Sequence, residues 1–323
     1  MEALEYQEIV SIVQNEIKQT SYKGYPIELY DPMNYIIQLG GKRLRPVTTL
    51  LATQLFSVEV SKALPAAKAI EVFHNFTLIH DDIMDKAPLR RGKETVHEKW
   101  NNNIAILSGD TLLIEVYNHF LEGKYENLSQ ILKVFNQTAI QVCEGQQLDM
   151  NFETREDVTI EEYINMIRLK TSVLVGGAFK IGALVAKANE SEAALIYEFG
   201  VNLGIAFQLQ DDYLDCFGDP KKFGKQVGGD IISNKKTFMM LKALEIDSTG
   251  ELQSRVSQKV FNSEEKVESV KALYKKLKVD ALAFDLMNEY YTKAIHSLHQ
   301  IESLEDAKNK IIRFAEDLMK RSS

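Results

Sequence analysis

The sequence is poor in the residues that cross-link a fold covalently. Only two cysteines, Cys143 and Cys216, occur among 323 residues, and they stand far apart, so a disulfide framework is not expected. Low cysteine content is typical of proteins that fold in a reducing cytoplasm. The N-terminus, MEALEYQEIV, has no basic segment followed by an apolar one, so we expect no secretory signal peptide.

Long apolar runs and an excess of positive charge are also absent. The longest apolar stretch, residues 172–186, is too short to span a bilayer and contains Lys180. The net charge of −8 disfavours a general nucleic-acid-binding protein, because contacts with phosphate need a basic surface. Hydrophobic residues make up 45% of the chain, enough for a large core. We expect a cytoplasmic globular protein that binds no nucleic acid and has no stable membrane insertion.

Alternation of apolar and polar residues, the pattern of a half-buried strand, is nearly absent. Apolar residues instead recur at three- and four-residue spacing in segments such as 161–186, 192–210 and 266–301, which indicates amphipathic helices. The six prolines stand where helices would begin or end. No long linker or change in composition divides the chain. The sequence predicts a single all-α domain over residues 1–323, with ten or more helices.

Two acidic motifs with the same spacing stand within this helical pattern, DDIMD at 81–85 and DDYLD at 211–215. Residues four apart share one face of a helix, so the outer aspartates of each motif point the same way. A divalent cation relieves the repulsion between such carboxylates, and Mg²⁺ typically combines one or two carboxylates with substrate phosphates. A solvated helix face is the alternative for one motif alone, whereas two copies favour metal binding. Neither motif resembles an EF-hand, and His and Cys do not cluster as zinc requires.

Basic residues and glycines are concentrated in three segments, GGKRLRP at 40–46, RRGK at 90–93 and residues 221–236. Any one of them taken alone is commonly an exposed helix end. Together they supply guanidinium and ammonium groups that bind phosphate oxygens, and glycines that let the backbone approach a ligand. No Walker A sequence is present, so a nucleoside triphosphate site is not indicated.

These segments, in this order, resemble the motifs of the trans-isoprenyl diphosphate synthases, the family of farnesyl and geranylgeranyl diphosphate synthases. The resemblance runs over about residues 38–240 through GGKRLRP, DDIMD with RRG, GQQLD at 145–149, KT at 170–171, FQ with DDYLD at 207–215, GK at 224–225 and NK at 234–235. The rest of the chain is compatible helical sequence. The resemblance implies mostly antiparallel helices around a deep central cavity, and usually a homodimer.

The resemblance also implies which side chains bind the metal and the substrates. Two or three Mg²⁺ ions, for which Mn²⁺ could substitute, would be held by Asp81, Asp85, Asp211 and Asp215. The allylic diphosphate would be held by Arg90, Lys170, Thr171, Gln208, Lys225 and Lys235. Isopentenyl diphosphate would be held by Lys42, Arg45, His74 and Arg91. Supporting roles fall to Asp82, Gln146, Asp149 and Asp212.

The spacing along the chain is compatible with several of these roles. His74 stands seven residues before Asp81, so an ideal helix places both on one face, about 10 Å apart. A lone histidine in such a position is otherwise more often a core or surface residue. Gln208 precedes Asp211 by three residues and shares its face. Lys236 adjoins Lys235, and the spacing from the preceding acidic residue favours Lys235.

The implied reaction is prenyl transfer. Mg²⁺ and the basic side chains would stabilise charge on the departing diphosphate, so that the allylic C–O bond ionises. The π bond of isopentenyl diphosphate would attack the allylic cation, and the released diphosphate would take the proton that is then lost. No protein nucleophile is needed, which agrees with the absence of a Ser/His/Asp or Cys/His arrangement. An apolar cavity must exclude water, which would trap the cation.

The length of the product is expected to depend on two residues. In this family, bulky residues four and five positions before the first aspartate form a floor beneath the growing chain, and here these are Thr77 and Phe76. Phe76 therefore predicts a product of fifteen or twenty carbons. The alternative for Phe76 is simple core packing, which is compatible with a floor.

Two other functions are open on the same fold. A class I terpene cyclase also ionises allylic diphosphates, but it usually carries a mixed second metal motif and needs no isopentenyl diphosphate site. The second DDxxD and the GGKRLRP segment count against a cyclase. A regulatory subunit without catalysis would be expected to have lost aspartates, whereas both motifs are intact here.

Overall fold

The computed structural model describes residues 4–218, 228–258 and 260–320. The predicted all-α class is confirmed, because helices make up most of these residues. They span Tyr6–Gln19, Ile27–Gln38, Leu44–Leu55, Leu64–Met84, Val96–Lys99, Asn102–Glu122, Leu128–Thr154, Ile160–Ile167, Val173–Val185, Glu190–Phe217, Gly229–Ile232, Phe238–Ile246, Glu251–Val256, Ser263–Lys276, Val279–His299 and Glu305–Met319, with a 3₁₀ turn at Val60–Ala63 and a π-helical turn at Arg168–Ser172.

Strand structure within the described ranges is limited to one antiparallel hairpin, Leu89–Arg90 with Lys93–Glu94. It follows Pro88, whose ring cannot continue the preceding helix. Polar residues mark the starts of several helices. Asn101 accepts a hydrogen bond from the backbone of Ile104, and Thr159 forms a capping box with Glu162. These caps satisfy amide groups that have no partner within the helix.

The described helices form two compact units. The first comprises Met1–Phe135, Gly177–Ile196 and Glu302–Ile311, and the second comprises Asn136–Gly176, Tyr197–Ile301 and Ile312–Ser323. The single domain expected from the sequence stays a prediction. Among the described residues, no helix combines the length with the apolar character that a membrane-spanning segment requires.

In the first unit, the helix Leu64–Met84 packs against Asn102–Glu122 and Leu44–Leu55. Its apolar face, which includes Phe73, is buried. The Phe135 ring meets the edges or faces of Phe73, Tyr117 and Phe120 at centroid distances of 5.1, 5.6 and 5.2 Å. Such aromatic contacts add to the hydrophobic stabilisation of the core. This packing fixes the helix whose C-terminal end carries the first acidic motif.

In the second unit, a hydrophobic cluster joins residues of several helices, among them Tyr163, Leu209, Phe238 and Tyr274. Leu209 belongs to the helix Glu190–Phe217, whose last two turns carry the second acidic motif. Burial of its apolar face beside the motif therefore sets the orientation of the aspartates.

Candidate active site

The first acidic motif lies at the end of the helix Leu64–Met84. Asp81 is half-buried, Asp82 is only 1% exposed, and Asp85 is exposed at the residue where the helix ends. The amide of Asp85 donates to the carbonyl of Asp81 at 2.8 Å. The helical turn that the spacing predicts is thus present, and the two outer aspartates remain accessible to solvent.

The middle residue of this motif is held by an arginine. Arg90 on the hairpin donates from Nε and Nη2 to the two carboxylate oxygens of Asp82, at 2.8 and 2.6 Å. Both carboxylate oxygens therefore accept from one guanidinium, the strongest geometry for such a pair. Asp82 thus anchors the hairpin.

A cluster of basic side chains surrounds His74 in the same unit. Arg45 Nη1 lies 3.1 Å from His74 Nε2, and Arg91 donates to the carbonyl of Gly40. Gly41 has φ +127°, a backbone conformation that other residues rarely adopt, and the absence of a Cβ leaves room for the Arg91 guanidinium. The structure thus brings together segment 40–46, His74 and Arg91, residues that the sequence pattern assigns to isopentenyl diphosphate; Lys42 is exposed in the same segment.

His74 is neutral in these surroundings. Burial, followed by the positive charges of Arg45, Arg91 and two further arginines, lowers its pKa well below the ordinary value. Since the Arg45 guanidinium can only donate, His74 Nε2 is the acceptor and its proton sits on Nδ1. Arg45 is itself desolvated, and its buried Nε has no acceptor among the described residues. A buried cationic donor of this kind suits an anionic ligand.

Beneath the cluster lies a buried polar network that the sequence pattern did not indicate. Arg43 donates to the carboxylate of Glu71 and, at 2.5 Å, to the carbonyl of Ile37. Asn75 donates to the same Glu71 carboxylate at 3.2 Å and to its carbonyl at 2.7 Å. The network ties segment 40–46 to the helix that carries His74. The only feature of the sequence that could have indicated this network is Glu71, an acidic residue on the apolar face of that helix.

The second acidic motif lies inside the helix Glu190–Phe217. Asp211 and Asp215 are half-buried, whereas Asp212 is 6% exposed. Tyr163 donates to one carboxylate oxygen of Asp212 at 2.5 Å, and Gln208 donates to the other at 3.0 Å. Burial outweighs the attraction of Lys235 and raises the pKa of Asp212 to about 7.

Asp215 supports the backbone that follows the motif. One of its carboxylate oxygens accepts from the amide of Asp230 at 3.0 Å, and its carbonyl accepts from the amide of Gly228 at 2.6 Å. Lys235 Nζ lies 3.8 Å from Asp230 and is exposed. Lys225 lies outside the described residues.

Lys170 and Thr171 lie in the π-helical turn Arg168–Ser172, a form that is rare and frequently occurs at functional sites. Lys170 donates to Asp149 at 2.5 Å, and Thr171 donates to the side-chain oxygen of Gln208 at 3.3 Å. Gly145 permits this turn to approach, because a side chain there would collide with the Lys170 backbone. Gln146 is buried beside it. The second unit thus gathers every described residue that the sequence pattern assigns to segments 145–149, 170–171 and 208–215.

The two residues expected to limit product length are packed within the first unit. The Phe76 ring is 8% exposed and lies 5.7 Å from the ring of Phe73 and 4.7 Å from that of His80, between centroids. The Thr77 hydroxyl donates to the carbonyl of His74 at 2.8 Å. Phe76 therefore packs in the core, as one of the two alternatives expects.

The outer aspartates offer a donor set of carboxylate oxygens. The described ranges contain no group of three or more His, Cys, Asp or Glu side chains close enough to hold a metal by themselves. Mg²⁺ usually keeps several waters and binds through one or two carboxylates together with substrate phosphates. A pair of accessible aspartates at each motif fits such an ion bound with a diphosphate.

A helical protein with two DDxxD motifs, one of them beside a desolvated arginine–histidine cluster, has the features of an enzyme that acts on prenyl diphosphates. The family model described as Polyprenyl synthetase matches residues 26–277. The chain is 38% identical over 317 residues to geranylgeranyl diphosphate synthase from Sulfolobus acidocaldarius, covering 96% of this chain and 95% of that protein. It is 42% identical over 217 residues to geranylfarnesyl diphosphate synthase from Aeropyrum pernix, covering 65% and 68%.

The fold agrees with these sequence matches. A crystal structure of geranylgeranyl pyrophosphate synthase superposes with a TM-score of 0.95 and 46% sequence identity, covering 99% of this chain and 100% of that one. The chain therefore belongs to the polyprenyl synthetase family, as the sequence predicts. The predicted enzyme class, a prenyl-transferring diphosphate synthase, is confirmed and is favoured over a terpene cyclase or an inactive subunit.

Proposed function

We propose that this synthase condenses isopentenyl diphosphate with dimethylallyl, geranyl or farnesyl diphosphate to give an all-trans product of fifteen to twenty carbons. The arginine–histidine cluster around His74 carries the proposal, because a cyclase needs no second diphosphate site. The geranylgeranyl diphosphate synthases among the relatives support a product of this length, and the geranylfarnesyl diphosphate synthase is named for a longer one. The bulk of Phe76, five residues before the first aspartate, supports an upper limit of twenty carbons for the product.

The isopentenyl diphosphate site consists of Lys42, Arg45, His74 and Arg91. Arg45 presents a buried Nε–H that an anionic oxygen would satisfy, and burial makes that hydrogen bond stronger than it would be in water. The neutral His74 adds a donor without adding charge. Glu71 and Arg43 hold segment 40–46 in place beneath the ligand.

Asp81, Asp85, Asp211 and Asp215 would hold the two or three Mg²⁺ ions. When bound, Mg²⁺ neutralises the charge that develops on the departing diphosphate and so favours ionisation. Arg90, Lys170, Lys225 and Lys235 bind the same diphosphate and add to this stabilisation. Asp82, Asp149 and Asp212 orient their neighbours, and buried Gln146 lines the same part of the second unit.

The polar side chains then stabilise the cation. The side chains of Gln208 and Thr171, which are joined by a hydrogen bond, would stabilise the allylic cation by their dipoles, while apolar walls keep water away. The π electrons of isopentenyl diphosphate form the new C–C bond, and the departed diphosphate takes the proton. Each event requires only binding, orientation and exclusion of water from the protein.

The protein is proposed to act as a homodimer. Leu107, Ile114 and Leu121 recur at seven-residue spacing on the helix Asn102–Glu122 and are 59, 61 and 58% exposed. An apolar stripe of this kind buries well against the same stripe of a second copy. Substitution of Ile114 by Asp is expected to give monomers in analytical ultracentrifugation, and an unchanged dimer would contradict this interface. The cytoplasmic location stays a prediction.

One assay tests the function. Purified protein is incubated with Mg²⁺, isopentenyl diphosphate and each allylic primer in turn, and the products are sized by chromatography. We expect product only when isopentenyl diphosphate is present, and Arg45→Gln is expected to raise its KM. Product formed from the allylic primer alone would favour a cyclase, and no turnover with any primer would favour an inactive subunit.

A further inference from the structure

A buried tyrosine outside the recognised motifs contacts the second of them. Tyr163, on the helix Ile160–Ile167, is 1% exposed and belongs to the hydrophobic cluster of the second unit. Its hydroxyl donates to Asp212 at 2.5 Å. The hydroxyl proton therefore points to the Asp212 side chain.

From Asp212 the hydrogen bonds continue to Gln208 and Thr171. The second carboxylate oxygen of Asp212 accepts from Gln208 Nε2 at 3.0 Å, and Gln208 Oε1 accepts from Thr171 at 3.3 Å. Both oxygens of Asp212 accept here, and an acceptor in this position selects one of the two orientations of the Gln208 amide. The amide nitrogen faces Asp212, and the amide oxygen faces Thr171.

We propose that Tyr163 is a positioning residue for prenyl transfer. It fixes the Asp212 carboxylate, and Asp212 in turn holds the Gln208 amide with its oxygen toward Thr171. This inference rests on the proposed function, in which Gln208 and Thr171 act on the allylic substrate. Without the phenol hydroxyl, Asp212 has one neutral donor left, so its carboxylate rotates and the Gln208 amide is no longer held in one orientation.

The test uses Tyr163→Phe with Tyr274→Phe as a matched control. Tyr274 is also 1% exposed in the same unit, but its hydroxyl contacts Met240 Sδ at 3.7 Å. We expect Tyr163→Phe to lower kcat by about 10-fold, the usual cost of losing a partner behind a functional side chain. The KM for isopentenyl diphosphate should stay unchanged, and Tyr274→Phe should leave both constants unchanged. A Tyr163→Phe enzyme with wild-type kcat would overturn the proposal.

A double-mutant cycle distinguishes positioning from a general loss of structure. If Tyr163 acts through Gln208, then Tyr163→Phe should cause no further loss of kcat in a Gln208→Leu background. If the kcat of the double variant fell by the product of the losses in the two single variants, the proposal would be overturned. Should Tyr163→Phe unfold, Asp212→Asn replaces it in the same cycle with the same two outcomes. Wild-type protein without prenyl product would contradict the proposed function, whereas active wild type with a failed cycle contradicts this inference alone.

Discussion

The two acidic motifs share one sequence pattern but differ in how their middle aspartate is held. Asp82 receives both hydrogen bonds from the charged guanidinium of Arg90. Asp212 receives its two from a phenol and an amide, which are neutral. The first motif thus carries its own counter-charge. In the second, burial prevails and raises the pKa of the carboxyl to about 7. Identical spacing therefore encodes two different electrostatic environments.

The outer aspartates also differ. Asp85 ends its helix and is exposed, whereas Asp215 lies within the last turn of its helix and accepts from the amide of Asp230. Asp85 can thus give its whole carboxylate to a metal ion, but one oxygen of Asp215 is already engaged. We infer that Asp85 contributes more to metal binding than Asp215.

The largest expected effect is loss of an outer aspartate of the first motif. Asp85→Asn should lower kcat about 1000-fold, as for removal of a group that stabilises developing charge, while Asp215→Asn should cost about 10-fold. Steady-state formation of prenyl diphosphate measures both, with exposed Asp157→Asn as the control. Equal losses at Asp85 and Asp215 would contradict the difference between these two aspartates.

The middle aspartates should differ in stability. Asp82→Asn leaves Arg90 without its counter-charge, so the free energy of unfolding should fall by about 3 kcal/mol. Asp212→Asn removes only bonds to neutral groups, and we expect a loss of about 1 kcal/mol. Urea unfolding in the absence of Mg²⁺ gives both values. If the free energy of unfolding fell more in Asp212→Asn than in Asp82→Asn, the charge of Arg90 would not explain the difference between the two motifs.

The two motifs also differ in the residue that stands five positions before the first aspartate, which is expected to affect product length. Phe76 stands five residues before Asp81, and Ala206 occupies the same place before Asp211. If the growing chain runs along the first helix, Phe76→Ala should shift the product to longer prenyl diphosphates in chromatography. Truncation of a buried ring in the second unit, Phe152→Ala, is the control. If Phe76→Ala gave a product of unchanged length, Phe76 would not be the floor beneath the growing chain.

The pH dependence of stability should have opposite signs in the two units. The folded pKa of His74 lies below its unfolded value, so its contribution to stability is present above about 6.5 and is lost as the pH falls. The folded pKa of Asp212 is raised to about 7, so its contribution is present at acid pH and is lost as the pH rises toward that value.

Between about pH 5 and 6.5 the two slopes, each about 1.4 kcal/mol per pH unit, largely cancel. His74→Gln should therefore give an unfolding free energy that falls with rising pH, and Asp212→Asn one that rises. Urea unfolding at several pH values without Mg²⁺ measures the slopes. Slopes of the same sign in both variants would contradict the assigned shifts.

Much of the fold could be predicted from the sequence because helical periodicity is a local property. The positions of Asp81 and Asp85 on one helical turn followed from their spacing, and so did the grouping of Gln208 with the second motif. Asp82 was expected to have a supporting role, because one residue further along a helix turns by about 100° toward another face, but its pairing with Arg90 was not predicted. Tyr163 and Glu71 were missed because their partners lie far away in sequence, and no local pattern predicts such contacts.

We propose that the outer aspartates bind metal, whereas the middle aspartates hold neighbouring side chains in place. Electron paramagnetic resonance of Mn²⁺, titrated with inorganic diphosphate present, distinguishes the two roles. Wild type, Asp82→Asn and Asp212→Asn should bind the same number of ions, whereas Asp81→Asn and Asp211→Asn should each bind fewer. Loss of Mn²⁺ from Asp82→Asn equal to that from Asp81→Asn, with both proteins folded, would contradict it.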